Sequence, residues 1–181
     1  MGSIMIQISE MHKLKTLTMV LLPCLITILL SACSQKGEQA VIQNIPDGLA
    51  LGNGEGAVGQ TIDVPMTLKT PDRVMGLQFD LAWDTSLVAV GKPILTSENQ
   101  HMTLNAKNEI NRMTVLVFSF EGKALILDTN KVLSIPVTIL SPKQGETPLR
   151  LTEVIVAGRA AGEIKVPVQS GKIVLKGSMT D

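Results

Sequence analysis

The strongest constraint on this chain is a hydrophobic period of two that recurs in short runs, with no period of 3.6 lasting beyond a turn. Ile62, Val64, Met66 and Leu68 alternate with Thr61, Asp63, Pro65 and Thr67, the pattern of a strand with one face buried. Pro65 has no N–H to give a ladder, so it places this strand at a sheet edge or beside a bulge. Met75, Leu77, Phe79, Leu81 and Trp83 make the next set, with Gly76, Gln78, Asp80 and Ala82 on the other face. Phe79 and Trp83 are therefore core residues. Asp84-Thr85-Ser86 turns the chain into a strand over 87–90, and the polar stretch 96–111 reads as a long loop holding one short strand around His101 to Leu104.

Residues 112–121 are apolar in both phases, with Leu116, Phe118 and Phe120 in one and Met113, Val115 and Val117 in the other. Such a strand is central, or its outer face is covered. Residues 132–140 alternate with Leu133, Ile135, Val137 and Ile139 inward, 149–156 follow a Pro-containing turn, and 164–168 and 172–175 flank Gln169-Ser170-Gly171. Short strands separated by Gly, Pro, Asn and Asp predict an all-β fold, an antiparallel sandwich of about nine strands over 47–177. Aromatic residues are only 2% of the 181, with one Trp, three Phe and no Tyr, so Val, Ile, Leu and Met must build the core. Sixteen basic and sixteen acidic residues give a formal charge of zero, which leaves no electrostatic footprint for nucleic acid.

At the amino end, Lys13 and Lys15 precede an uncharged, Leu- and Ile-rich stretch from Thr16 to Ala32, an export signal over 1–32. It ends in Leu30-Ser31-Ala32-Cys33, which resembles the lipobox of bacterial lipoproteins. The resemblance implies cleavage before Cys33 and acylation of its sulfur and new amine. Several acyl chains make a stable anchor where one would not. The protein is then expected at the cell envelope without a transmembrane helix, and at the outer membrane if the host is Gram-negative, given Ser34 after the Cys. Residues 33–46 are a polar tether reaching on the order of 40 Å when extended.

The run from Ala57 to Pro65, then Met75-Gly76-Leu77-Gln78-Phe79-Asp80-Leu81-Ala82-Trp83-Asp84 and Leu87-Val88-Ala89-Val90, resembles the opening of a cohesin domain. Val132-Leu133-Ser134-Ile135-Pro136-Val137 is similar to that family's seventh strand, and 162–168 with 171–175 to its closing hairpin. The resemblance runs from about Asp47 to Lys176. It implies a nine-stranded jelly roll, of a kind shared with carbohydrate-binding modules, whose best-known members bind dockerin modules through one sheet face. Where those members carry polar partner contacts, this chain has Gly76 and Gln78, and only Gln78 can hydrogen-bond.

The remaining motifs favour plain structural roles. Gly52-Asn53-Gly54-Glu55-Gly56 lacks the Gly-Lys-Ser/Thr of a phosphate loop and leads into a strand, so it reads as a flexible turn. Asp80 and Asp84 lie roughly 13 Å apart on an extended strand, too far for a glycosidase pair, and Asp84 reads as a turn acid. Beyond the export signal His101 is the only His, with Cys33 expected to be acylated, so no Cys or second His completes a metal site and it reads as a solvated loop residue. No cofactor and no metal are expected, and an enzyme is the weakest reading. If Leu116, Phe118 and Phe120 face the core, Val115, Val117 and Ser119 face out beside Gln78 and Asp80 as an apolar patch with a polar rim, the mark of a partner surface. The expected function is a lipid-anchored, non-catalytic docking module for another exported protein, dockerin-like or otherwise. The alternative is a polysaccharide-binding envelope lipoprotein, which an exposed aromatic would favour.

Overall fold

Strict alternation gives each long strand one apolar side, and two sheets of such strands close on each other. The structure, a computed structural model, describes residues 47–159 and 162–177. The expected export signal over 1–32, Cys33 and the expected tether over 33–46 lie outside the described residues. In chain order the strands are β1 Gly48–Leu51, β2 Gly54–Ala57, β3 Thr61–Lys69, β4 Gly76–Ala82, β5 Val88–Val90, β6 Ile94–Leu95, β7 Thr103–Asn108, β8 Arg112–Phe118, β9 Lys131–Ile139, β10 Gly145–Ala157, β11 Glu163–Ile164, β12 Val168–Gln169 and β13 Gly171–Lys176. One sheet runs β12-β1-β3-β9-β5 with β6 also on β9, and the other runs β2-β13-β10-β4-β8-β7 with β11 on β10. The result is the expected jelly-roll sandwich, with thirteen strands among the described residues where about nine are expected.

The core lies between the sheets. From the first come Leu49, Leu51, Val64, Met66, Leu68, Leu133, Ile135, Val137 and Ile139, and from the second Leu77, Phe79, Leu81, Met113, Val115, Val117, Leu149 and Ile173. Trp83 packs against this cluster from its margin, half-buried, in line with its reading as core. Pro65 is not at an edge, because β3 lies between β1 and β9. The bulge reading holds instead: the β3–β9 register shifts just after Met66. The Asp84 turn forms as expected. Its carboxylate accepts from the Ser86 hydroxyl at 2.6 Å and the Ser86 N–H at 2.9 Å, and these bonds, the hydroxyl's first, hold the carboxyl below the usual carboxylate range.

Three expectations change. The Gly-rich run is not a flexible turn: Gly54–Ala57 is strand β2, parallel to β13. A Cβ on Gly54 would strike Ile62, and one on Gly56 would strike Gln60 and Ile139, so glycine here permits close approach of a strand. The closing hairpin is not one either. β12 pairs in parallel with β1 in one sheet, while β13 pairs with β10 and β2 in the other. The chain changes sheet at Ser170-Gly171, directly beside the place where Gly52-Asn53 does the same. A Cβ on Gly171 would collide with the Gly52 carbonyl, and the Asn53 side chain accepts from the Lys172 N–H at 2.9 Å.

The third change is the phase of β8. Register with β4 pairs Val117 with Leu77, Val115 with Phe79 and Met113 with Leu81, and directly opposed residues share a face. Val115 and Val117 are therefore core residues with 0% exposure, and Leu116 and Phe118 point outward. A period of two cannot choose between two apolar phases. The choice is made by Arg112 and Thr114, which share the outer phase and cannot be buried cheaply.

An Asp in place of Val117 buries an unpaired carboxylate at a cost of several kcal/mol, a large part of a domain's whole stability of about 5–15 kcal/mol. Urea denaturation should therefore show Val117→Asp largely unfolded, and Leu116→Asp within about 1 kcal/mol of the parent. Thr147 is 1% exposed on the inner side of β10, and its hydroxyl has no hydrogen-bond partner. Thr147→Val removes that unpaired group with little change of shape, and should raise stability by about 1 kcal/mol in the same assay.

Candidate functional site

The outer face of the β7-β8-β4-β10 sheet is laid out in rows by the cross-strand register. Thr103, Phe118, Gly76 and Ala157 form one row, and Asn105, Leu116, Gln78 and Ile155 the next. Lys107, Thr114, Asp80 and Thr152 follow, and then Arg112, Ala82 and Arg150. The centre is apolar: Leu116 is 37% and Ile155 45% exposed, with Gln78 directly between them. One end opens into a shallow groove of about 430 Å³, whose lining includes Gly76, Gln78, Leu116, Phe118, Ile155 and Arg159. Gly76 has no side chain, so Phe118 and Ala157 flank an open floor. A Cβ there would lie 3.1 Å from the Val117 carbonyl oxygen.

The other end is charged and internally bonded. Asp80 is only 5% exposed, because Thr114 donates to it at 2.7 Å and an Arg112 guanidinium nitrogen lies 3.4 Å from its other oxygen. Arg112 also donates to Glu109 at 2.8 Å. That hydrogen bond, reinforced by the guanidinium charge, holds the Glu109 carboxyl below its usual range. In return Glu109 first and Asp80 second hold Arg112 more firmly in its charged form. Asp80 is thus a satisfied carboxylate and not a free acid or base. Asp84 is committed to Ser86, so the two acids do not work together.

Of the residues expected at a partner surface, the structure brings Gln78 and Asp80 together on this outer face. Val115 and Val117 lie on the opposite side of the strand, in the core. Ser119 falls past the end of β8, half-buried, where its hydroxyl accepts from the N–H groups of Glu121 and Lys123 and shapes a turn. The residues missed are Leu116, Phe118 and Ile155. For the first two the signal was present, since Arg112-Thr114-Leu116-Phe118 begins polar while Met113-Val115-Val117 is uniformly apolar. Beyond Phe118, Phe120 is 85% exposed and meets the Phe118 ring edge-on, with centroids 4.8 Å apart.

His101 is not a solvated loop residue. Its Nδ1 lies 3.2 Å from the Glu98 carbonyl oxygen and its Nε2 2.9 Å from that of Ala124. With Asn99, which donates to the Ile126 carbonyl and accepts from the Ile126 N–H, it ties the segment before β7 to the loop after β8. Among the described residues no cluster of three or more His, Cys, Asp or Glu could hold a metal ion.

The cohesin domain model matches residues 48–175. No curated protein matches the chain. Among solved structures, a non-cellulosomal cohesin from the archaeon Archaeoglobus fulgidus is 16% identical with a TM-score of 0.60, over 72% of this chain and 91% of that one. The cohesin of a type I cohesin–dockerin complex from Clostridium thermocellum is 19% identical with a TM-score of 0.62, over 71% and 98%. A cohesin module from a Clostridium perfringens family 33 glycoside hydrolase is 14% identical with a TM-score of 0.61, over 72% and 97%. At these identities the solved structures speak for the fold, and the match of the family model over most of the chain speaks for descent: the chain belongs to the cohesin family.

Proposed function

We propose that this protein is a non-catalytic docking module that holds a dockerin-like protein partner through the outer face of the β7-β8-β4-β10 sheet, and that it is anchored at the cell envelope by lipid on Cys33. The observation that carries the docking reading is the apolar centre formed by Leu116 and Ile155 around Gln78, rimmed by Arg112, Asp80, Glu109 and Lys107. A desolvated apolar centre within a polar rim is how protein interfaces are organised. Several cohesins of the same fold were solved in complex with dockerins, which supports a partner of that class. The anchoring reading rests on the Leu30-Ser31-Ala32-Cys33 motif. A polysaccharide-binding role has one observation in its favour, the exposed ring of Phe120. A single ring in a T-shaped pair with Phe118 offers little stacking area, so the docking reading is preferred.

Surface plasmon resonance of the full chain against a panel of recombinant dockerin modules tests the first part. At least one module should bind, and Leu116→Asp combined with Ile155→Asp should weaken it on the order of 100-fold, the scale of a hot-spot loss. Undiminished binding would remove this face from the account. Failure of every module together with retardation in polysaccharide affinity gels would favour sugar. For the anchor, Cys33→Ala should move the protein from the membrane fraction to the soluble fraction of its cells, and persistence in the membrane would contradict lipidation.

A further inference from the structure

Strand β10 carries one residue more than its partner. Thr152 pairs with Asp80 and Ile155 with Gln78, so Glu153 and Val154 together oppose the single residue Phe79. The extra residue is accommodated by a bulge in which Glu153 takes a φ of +50°, a left-handed conformation that L residues other than Asn and Asp rarely adopt and that costs free energy. The flanks stay in phase: Leu151 and Val156 are buried, Val154 packs against the core, and Thr152 and Ile155 are exposed. Removing Glu153 alone would leave Val154 opposite Phe79 and facing in, with Thr152 and Ile155 still facing out. Cross-strand register alone therefore does not call for this residue, which sits in a strained conformation.

What the bulge provides is a carboxylate on the docking face. Glu153 is exposed, between the outward-facing Thr152 and Ile155, and its charge is the last and smallest of the contributions that favour the charged form of Arg112, after Glu109 and Asp80. Arg112 makes its close contacts with Glu109 and Asp80 instead. Bulges are placed where a strand must re-aim a side chain.

We propose that Glu153 is a specificity-determining residue of the docking face, inserted by the bulge to receive a cationic side chain of the partner. The inference rests on the docking reading above. Its test is deletion of Glu153 in the full chain, with Glu153→Gly as a companion that keeps the bulge and relieves its strain. Both variants should melt at or above the parental temperature. Both should bind the dockerin module selected by the parent chain on the order of tenfold more weakly, with a shallower salt dependence of the association rate. A deletion variant that melts well below the parent would show that the bulge serves the fold, and equal affinity with an unchanged salt dependence would show that Glu153 recognises nothing. If no module binds the parent chain, the docking reading fails and this inference with it. If modules bind the parent and the variants alike, only this inference fails.

Discussion

Which side of β8 the core takes decides everything displayed on the sheet's outer face. Met113, Val115 and Val117 are fully buried against Leu81, Phe79 and Leu77, and a slip of one residue would exchange the whole set for Arg112, Thr114, Leu116 and Phe118. The cost of burying Arg112 makes that slip prohibitive. With the phase set, Leu116 must stand beside Gln78, Thr114 must meet Asp80, and Phe118 must overlook Gly76. The apolar centre and the bonded charged end of the face are two consequences of one packing choice.

The sandwich is closed at a second place, where β1 passes into β2 and β12 into β13. Both segments cross from one sheet to the other side by side: a Cβ on Gly171 would strike the Gly52 carbonyl and one on Gly52 would strike the Pro65 ring, so neither crossing leaves room for a larger residue at that point. The parallel pairs β1–β12 and β2–β13 are the outcome, and they cap the ends of both sheets with short strands. In a chain with so few aromatic residues, this closure completes a core built of branched aliphatic side chains and Met.

Much of this was legible in the sequence, and the failures have physical reasons. β3, β4 and β9 alternate apolar residues with polar ones, so their inward faces could be read directly. In β8 both phases are apolar past Thr114, and only pairing with β4 distinguishes them. β1 is buried along its whole length and β2 is half glycine, so neither carries a period of two. Counted at period two from Leu151, Ile155 reads as inward, because the extra residue taken up by the bulge at Glu153 is not one that local sequence marks for a left-handed conformation. His101 finds its second acceptor at Ala124, a long-range partner that no local pattern announces. At the site, Gln78 and Asp80 lie on the outer face of β4 because that strand alternates unambiguously, whereas Val115, Val117 and Ser119 inherit the ambiguity of β8.

Family membership and geometry meet on one face. A cohesin sandwich offers two outer sheet faces, and in this chain the β7-β8-β4-β10 face combines exposed aliphatic side chains with an adjoining groove. The most direct measurement is methyl NMR of the isotopically labelled chain with and without a bound dockerin module. The methyl signals of Leu116 and Ile155 should shift strongly on binding, while that of Ile94, exposed at β6 of the other sheet, stays in place. Shifts at Ile94 and Val168 with none at Leu116 and Ile155 would put the partner on the opposite sheet and rule out docking on the β7-β8-β4-β10 face.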